Sequence, residues 1–388
     1  MSVNQMNVED ARVLLNSIHN QVTGQSALVP TSTADFVSQA TTTLQAGSDL
    51  VFGAIMQVVG QTIVAVRPYS AKFTGLEADG ARWGGIIRKQ SFVDDPADVD
   101  MAYHNLTDGT AVDPWVIHKP GVVETRFYGS DVFQDNYTVF EQQLKNAFRS
   151  EEEFGSFIAG LTLHYSNKWE QYKEDMARML LSNLIAAKNV ADSASVFHLL
   201  TLYNGETGQT LTKQDAAIDK DFWRWVRAKV NTIGRRMTAR SGLYQLQLTG
   251  NFISRHTPLE DQKIYLAADV LDKVNTVVNA DTYHDEPLRY ADVEGVDYWQ
   301  AIQSPLSISM TPSYIDATGA VVTQPTAQVM TDVFGVIFDR DAIGYTVIDY
   351  SVMNSPFNQV GRYYNVNMTA NIRYMNDLTE KAAVLVLD

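Results

Sequence analysis

The aspartates between residues 332 and 349 are the side chains in this sequence best suited to chemistry. They lie in and beside the apolar segment FGVIFDRDAIGYTVIDY, at Asp332, Asp339, Asp341 and Asp349. Two carboxylates this close could bind a cation or act as a general acid and base. Aspartates also accept hydrogen bonds from the backbone of their own turn, and Arg340 would supply a charge partner. We favour the structural turn and assign no catalytic, cofactor-binding or metal-binding residue.

Other patterns that could support catalysis or ligand binding are weaker. The sequence has no P-loop, no dinucleotide-binding glycine motif, no paired-histidine zinc motif and no nucleophile elbow. The segment GETGQT (205–210) suggests a phosphate loop but lacks the following lysine. The histidines are scattered, and a metal site built from distant ones is the disfavoured alternative: His19, His104, His118, His164, His198, His256 and His284. We therefore predict no enzymatic activity.

A cluster of basic residues follows residue 223 and could meet phosphate. Its members share one predicted helix and the residues just after it: Arg224, Arg227, Lys229, Arg235, Arg236 and Arg240. Such a run is more often a solvated face or the partner of an acidic neighbour. We therefore favour a solvated face or acidic neighbours over phosphate binding.

The composition restricts the class of protein. With 388 residues the chain can bury a large core, and a formal net charge of −15 makes it a poor non-specific binder of nucleic acid. The absence of cysteine excludes disulfides, thiolate nucleophiles and iron–sulfur clusters. No signal peptide is visible at the N-terminus, and the apolar segment 49–66 contains Gln57 and Gln61. We therefore predict a soluble, non-exported protein that has no membrane partner.

The spacing of apolar residues predicts a mixed α+β fold. A polar arm of about 48 residues contains one amphipathic helix (8–20), and two strand-like segments (83–93 and 112–133) predict a long hairpin. Ser150 and Glu153 form a capping box at the start of a helix of about 39 residues, which spans roughly 58 Å at 1.5 Å per residue. A helix this long exceeds what one compact core requires.

The second half of the chain predicts an α/β unit followed by strands. The predicted elements are a helix at 219–237, a strand at 244–254, one or two helices over 258–278 that start at Pro258, a strand at 296–302, and C-terminal strands at 364–374 and 382–387.

This order of elements resembles the major capsid proteins of tailed bacteriophages, which have the Hong Kong 97-type fold, and especially those of small short-tailed phages. The resemblance covers nearly the whole chain and is most specific in three segments: 122–148, 219–303 and 334–387. They are similar to the return strand of the E-loop leading into the spine helix, to the A-domain, and to the closing strands of the family. The aspartates then mark a structural corner.

The resemblance implies five regions along the chain. These are an N-terminal arm with a buried helix (1–69), an E-loop hairpin region (70–133), a P-domain with the spine helix (134–190), an A-domain (191–331) and a return to the P-domain through C-terminal strands (332–388). Because the arm is short, the resemblance also implies a separate scaffolding protein and no maturation cleavage.

The implied function is that of a major capsid protein forming an icosahedral shell around double-stranded DNA. The implied partners are copies of itself as pentamers and hexamers, a scaffolding protein, a portal, and decoration or head-fibre proteins. The implied location is the virion capsid, assembled in the host cytoplasm. An encapsulin-like shell protein is the first alternative, and a β-rich hydrolase or adhesin is the second.

Overall fold

A computed structural model describes most of the chain, which forms two compact units. The described residues are 8–25, 27–47, 50–55, 71–78, 87–94, 107–109, 111, 113, 115, 117, 119–127, 129–279 and 293–388. Unit 1 comprises Met1–Thr74, Ser130–Met176 and Thr346–Arg373, and unit 2 comprises Gly75–Gly129, Ala177–Tyr345 and Tyr374–Asp388. The five regions named from the resemblance are a finer division and stay a prediction.

The helices include one that is much longer than the others. They are α1 (Val8–Thr23), α2 (Thr33–Gln45), α3 (Glu141–Ala147), α4 (Glu151–Ala191), α5 (Leu199–Thr207), α6 (Lys213–Ala216), α7 (Lys220–Met237) and α8 (Ala268–Asn279), and residues 50–55 are also helical. Helix α4 has 41 residues and begins as predicted, with the backbone N–H of Glu153 donating to Ser150 Oγ at 3.2 Å. The predicted long helix is therefore confirmed.

Among the described residues, the strands form one mixed sheet of five strands, one sheet of three strands and three antiparallel pairs. They are β1 (Ile87–Phe92), β2 (Val122–Phe127), β3 (Ser130–Phe140), β4 (Val196–His198), β5 (Gln262–Ala267), β6 (Val293–Val296), β7 (Ile308–Met310), β8 (Ser313–Ile315), β9 (Val321–Thr323), β10 (Gln328–Met330), β11 (Val333–Asp339), β12 (Ile343–Asn354), β13 (Tyr363–Asn376) and β14 (Ala382–Val386). The predicted α+β class and both C-terminal strands are confirmed.

Unit 1 is built on the three-stranded sheet β12-β13-β3 and on helices from the N-terminal part of the chain. Alternate residues of β13 are buried, as the unbroken alternation in its sequence predicts. Tyr364, Val366 and Met368 from this strand pack in one core with residues of α1, α2 and the start of α4. The polar arm thus buries its apolar face within its own unit.

Unit 2 is built on the sheet β4-β14-β11-β5-β6. Its two central strands, β11 and β14, are buried along their whole length, which accounts for their continuous apolar sequences. Helix α7 packs Phe222, Trp223 and Val226 into the same core. Within the described part of the chain, no helix combines the length and the apolarity needed to cross a membrane.

Three predicted elements of unit 2 differ from the structure in type or in bounds. Residues 244–254 form no strand, because Tyr244 has a positive φ of 66° and the side chain of Gln247 exchanges hydrogen bonds with the backbone of Ile253. Within 258–278 the helical prediction holds for a 3-10 turn at Leu259–Asp261, which follows Pro258, and for helix α8. Between them lies strand β5 rather than helix, since its aromatic and β-branched residues fill a place between β11 and β6. The strand predicted at 296–302 ends at Val296, after which the buried Trp299 donates to Val333 O.

The predicted hairpin is confirmed in its pairing and corrected in its length. Strands β1 and β2 pair antiparallel from Ile87 opposite Phe127 to Phe92 opposite Val122. The segment 112–133 is not one strand, because β2 ends at Phe127 and β3 pairs instead with β13. The predicted turn of the hairpin, 94–111, lies largely outside the described residues.

Candidate functional site

The corner between β11 and β12 is a hydrogen-bonded turn centred on Asp339. The side chain of Asp339 accepts from the backbone N–H of Asp341 at 2.8 Å and from the hydroxyl of Thr257 at 2.7 Å. Its backbone carbonyl accepts from the N–H of Ala342 at 2.8 Å. Burial raises the pKa of this carboxyl group above its usual value. The predicted structural turn is thus observed. Each hydrogen bond of Asp339 named here is made with a backbone N–H of the turn or with the hydroxyl of Thr257.

The predicted charge partner Arg340 has a second and closer acidic partner at this corner. The guanidinium of Arg340 lies 3.0 Å from Asp261 and 3.9 Å from Asp341, so its closer ion pair is with Asp261. Asp341 has a half-exposed side chain, and Asp339 is the one that accepts the hydrogen bond of the turn. Asp341 N–H is the donor in that bond.

The other two aspartates of the segment have separate local roles. Asp332 has a positive φ of 58°, a conformation that aspartate tolerates better than most residues, and its carboxylate pairs with Lys213 at 2.7 Å. Asp349 accepts from the N–H of Tyr350 at 2.8 Å. About 23 Å of extended strand separates Asp332 from Asp339 at 3.3 Å per residue. Among the described residues, no three acidic or histidine side chains are placed to hold a metal ion.

We expect Asp339→Ala to destabilise unit 2 by about 1–3 kcal/mol, since it leaves a buried hydroxyl and a backbone N–H without an acceptor. Asp339→Asn should be milder because the amide oxygen still accepts one of these bonds. Asp341→Ala should change the free energy of unfolding by less than about 0.5 kcal/mol. Chemical denaturation measures all three values.

Thermal melts of the same proteins with added calcium or magnesium distinguish a structural carboxylate from a metal ligand. We expect no stabilisation of the wild-type protein by either ion. An ion-dependent increase in melting temperature that Asp339→Asn abolishes would contradict the structural assignment of the corner.

A buried ion network lies beside this corner and ties the hairpin to the body of unit 2. The ammonium of Lys89 on β1 lies 2.9 Å from Asp377 and 2.5 Å from Glu380, and it donates to the backbone carbonyl of Asp341 at 3.3 Å. Arg255 pairs with Glu380 at 3.0 Å and donates to Ser91 Oγ, also on β1, at 2.8 Å. These contacts hold the base of the hairpin at two positions.

The pKa values in this network reflect a balance between burial and the opposite charges beside each group. Burial opposes the charge on Lys89, but Asp377 and Glu380 outweigh it and raise its pKa. Burial likewise acts to raise the pKa of Asp377, yet Lys89 and Thr379 hold this pKa below its usual value. For Glu380 burial prevails and raises the pKa. Asp377 is therefore the carboxylate on which the charge of Lys89 most depends.

Two further lysines are completely buried near the same turn. Lys188 on α4 donates to Asp192 at 3.0 Å and to the carbonyl of Tyr244 at 2.9 Å. Lys381 donates to the carbonyl of Ala239 at 2.8 Å and to Ser241 Oγ at 3.0 Å. Burial lowers the pKa of Lys381 to about 8. Each lysine therefore links its own segment to a backbone carbonyl that is distant in sequence.

The basic helix is paired with acids of its own unit. Arg224 lies 3.2 Å from Asp221, Lys229 lies 2.7 Å from Glu206, and the nearby Arg240 lies 2.6 Å from Asp94. This agrees with the interpretation that acidic neighbours neutralise the cluster.

The four histidines that the structure describes have separate surroundings, and one of them, His256, is exposed. His19 is buried against Thr43 at 2.8 Å, and His198 lies 2.5 Å from Asp388. His164 packs edge-on to the ring of Tyr137. His104, His118 and His284 lie outside the described residues.

Comparison with known proteins decides the family. The sequence matches the family described as Phi29-like phage major capsid protein over residues 15–386. The chain belongs to this family. No curated protein matches it.

Two solved structures share the fold of this capsid protein at low sequence identity. One is a chain of the capsid structure of Staphylococcus phage Andhra, with 11% identity, a TM-score of 0.51, and coverage of 82% of this chain and 84% of that chain. The other is a chain from the structure of head fiber and inner core protein gp22 of native bacteriophage P68, with 12% identity, a TM-score of 0.54 and the same coverage. The resemblance stated from the sequence is confirmed, and neither the encapsulin-like nor the hydrolase or adhesin alternative is supported.

The ion network of this capsid protein was not found from the sequence. Its acids lie in NDLTEKAAVLVL, where charged residues directly precede a fully buried strand. Charged residues next to a buried strand have to be paired or exposed to solvent. Their position before β14 was therefore the signal in the sequence for an ion network. Lys89 lies 288 residues before Asp377 and Arg255 lies 125 residues before Glu380, so only the fold identifies these partners.

The hairpin of this capsid protein presents apolar side chains to solvent. Phe92 and Val122, which are cross-strand partners, are more than half exposed. Beyond them Trp115 and Ile117 are 84% and 80% exposed. Grouped exposed apolar side chains often mark an interaction surface, whereas single scattered ones are common on any protein.

Proposed function

We propose that this capsid protein assembles as pentamers and hexamers into the icosahedral shell that encloses the double-stranded DNA of a tailed phage. The observation that carries the proposal is the family match across nearly the whole chain. A net charge of −15 supports it, because a container that bound DNA tightly would hinder packaging and release. We propose no enzymatic activity, in keeping with a structural family.

We further propose the partners and place of assembly that a shell of this kind requires. They are a separate scaffolding protein, a portal, and decoration or head-fibre proteins, with assembly in the host cytoplasm. A chain without cysteine suits assembly in a reducing compartment.

We also propose that the hairpin corresponds to the E-loop of the resemblance and makes contacts between subunits. Its base is bonded to unit 2 through Lys89, Ser91 and Asp94, the last of which donates its N–H to Phe252 O at 2.8 Å. Its outer part exposes Trp115 and Ile117. A two-stranded hairpin gains little stability by itself, so apolar residues beyond the anchored base are best explained by contact with another subunit.

Replacing residues 95–119 with an Asn-Gly turn tests this role. The change keeps Asp94 and the bond from the N–H of Val93 to Gly121 O, and Asn-Gly favours a tight hairpin turn. We expect a folded, soluble monomer whose melting temperature is within a few degrees of wild type and whose assembly is lost. Sedimentation and negative-stain microscopy, under conditions in which the wild-type chain forms particles, measure assembly.

Val360→Ser is the matched control, because Val360 is nearly fully exposed in unit 1, away from the hairpin sequence. It should assemble like wild type. A hairpin variant that unfolds would place the segment in the core, and one that still forms shells would show that the hairpin is dispensable for assembly. A wild-type chain that stays monomeric with scaffold supplied would contradict the shell itself.

A further inference from the structure

Helix α7 and the three residues after it concentrate positive charge on an acidic protein. Residues 220–240 contain seven basic residues and one acidic residue, Asp221, and no further acidic residue occurs before Glu260. The segment therefore has a net charge of +6, and because the whole chain has −15, the rest of the chain has −21. A local excess of basic residues on one helix is the electrostatic feature that polyanion-binding surfaces share.

The fold directs these charges to solvent. Helix α7 packs one face into the core of unit 2, and the charged residues lie on the rest of its surface. Arg224 and Arg235 are eleven residues apart, close to three helical turns, so they share the outward face and lie about 16.5 Å apart along the axis. We call the basic residues of this surface the basic strip: Lys220, Arg224, Arg227, Lys229, Arg235, Arg236 and Arg240. All of them except the half-exposed Arg227 and Lys229 are exposed.

Acidic residues of unit 2 neutralise the basic strip only in part. The seven basic residues outnumber by four the three acids paired with them above, which are Asp221, Glu206 and Asp94. The side chain of Asp221 is itself 77% exposed, so its ion pair with Arg224 lies in water, where such pairs contribute little and exchange partners easily. Pairing with acids, which the sequence favoured, thus accounts for part of the cluster and leaves an excess of positive charge at the surface.

The basic strip offers charge and hydrogen-bond donors but almost no apolar surface. Between Ile218 and Leu243, a range that the structure describes in full, no large apolar side chain is exposed. The other exposed side chains of α7 and its end, apart from Asp221, are short: Ala228, Thr232, Thr238 and Ala239. Protein interfaces have an apolar centre that is depleted in charge, whereas phosphate groups are bound by arginine, lysine and hydroxyl groups. The strip therefore fits a nucleic-acid backbone better than a protein.

The same surface suits a duplex better than a single strand. Single-stranded nucleic acids bind through exposed aromatic rings on which successive bases stack. Trp225, the half-buried aromatic residue beside the strip, is held in place instead: its indole N–H donates to Glu206 at 2.8 Å, and the ammonium of Lys229 lies 5.1 Å from the ring centroid. Backbone contacts of this kind carry no sequence information, so binding is non-specific.

We propose that the basic strip binds the phosphate backbone of duplex DNA, with Arg235 and Arg236 each contacting a phosphate. The inference rests on the proposed function, in which the shell encloses double-stranded DNA, and it names the surface of the subunit that contacts this DNA. The rest of the chain, with its charge of −21, repels DNA, so contact is weak, falls steeply with salt and is confined to this surface. Weak contact agrees with a container that has to release its contents.

Fluorescence anisotropy of a labelled DNA duplex, titrated with the unassembled chain over a series of salt concentrations, tests the proposal. The double variant Arg235→Gln/Arg236→Gln should bind roughly tenfold more weakly at low salt, and the slope of log K against log salt should be smaller by about 1.8, since each lost phosphate contact removes about 0.9. Lys145→Gln/Arg149→Gln removes the same charge from exposed residues of unit 1 and should bind like wild type. Both variants should melt within a few degrees of wild type.

If the double variant is unstable, the single variant Arg235→Gln replaces it, with an expected decrease in slope of about 0.9. No measurable binding of the wild-type chain at low salt would overturn the proposal. An equal loss in the unit 1 control would also overturn it, because total charge rather than the basic strip would then govern binding. Tighter binding of polyglutamate than of the duplex at the same salt would assign the strip to an acidic protein instead.

Assembly of the double variant with scaffold distinguishes this proposal from the proposed function. We expect shells, because the strip contacts DNA and not a neighbouring subunit. Loss of shells by a variant that melts like wild type would place the strip at a subunit contact and overturn the proposal, while the proposed function would stand. A wild-type chain that binds duplex DNA through the strip but forms no shells would support the binding surface and contradict the proposed function.

Discussion

Asp377→Ala is expected to lower the free energy of unfolding of unit 2 by about 3 kcal/mol, the lower end of the range for breaking a buried ion pair. Asp377 is 2% exposed, lies 2.9 Å from Lys89, and accepts from the N–H and hydroxyl of Thr379 at 2.9 and 2.7 Å. The variant leaves Lys89 with Glu380 as its remaining carboxylate partner in this network. That remaining partner is why the lower end of the range applies.

Denaturant unfolding of the monomer measures this effect, and two variants serve as controls. Asp377→Asn retains an acceptor for Thr379 but removes the charge, so its loss should be intermediate. Asp349→Ala alters an exposed carboxylate and should be nearly neutral. A loss below about 0.5 kcal/mol for Asp377→Ala would show that the network does not stabilise unit 2.

The acid side of the stability profile provides a second measurement of the same group. Because the folded pKa of Asp377 lies below its unfolded value, its contribution is complete above about pH 4 and is lost as the pH falls through the folded pKa. The difference between wild type and Asp377→Ala should therefore shrink below about pH 4. A difference that stays constant with pH would contradict the assignment of the charge to this residue.

Gly335→Ala is expected to destabilise unit 2 by about 3 kcal/mol, the upper end of the range for overpacking. Gly335 lies in the buried strand β11 beside a register shift between Val333 and Gly335. A β-carbon at this position would lie 2.7 Å from the backbone carbonyl oxygen of Tyr265 and would also overlap the side chain of Leu266. The side chain can move, whereas the carbonyl belongs to the neighbouring strand β5 and cannot move without disturbing the β11–β5 pairing.

Gly295→Ala is the matched control for this substitution. Gly295 lies in β6 of the same sheet, and a β-carbon there would meet its nearest neighbour, Leu271, at an ordinary 3.6 Å. We expect the control to change stability by less than about 0.5 kcal/mol. If Gly335→Ala is insoluble, the soluble fraction on expression still ranks the two variants. Equal stability of the two would show that β11 and β5 can separate at little cost.

Local patterns in the sequence determined the elements whose signals are local. The capping box at Ser150 and Glu153 marked the start of α4, and the alternation around Val366 and Met368 identified β13. In both cases the signal comes from residues that are close together in the chain, so their order shows the periodicity of the helix or strand. The polar arm and the single long helix also supported the correct family, since the order of elements survives where sequence identity to solved structures is near 11%.

The tertiary structure decided the elements and contacts that depend on distant neighbours. Strand β5 has an apolar sequence that also suits a helix, and its place between β11 and β6 makes it a strand. The same holds for the aspartates. The sequence predicted a structural turn but not that Asp339 would be its acceptor, because that choice depends on Thr257, 82 residues away.

The ion network illustrates the same limit most clearly. Lys89 and Asp377 are brought together by the pairing of strands and by the turn after β13. A single sequence records the charge and size of each residue but not which distant segments become neighbours. Burial then converts those neighbours into strong interactions, since pairing charges matters far more away from water than on the surface.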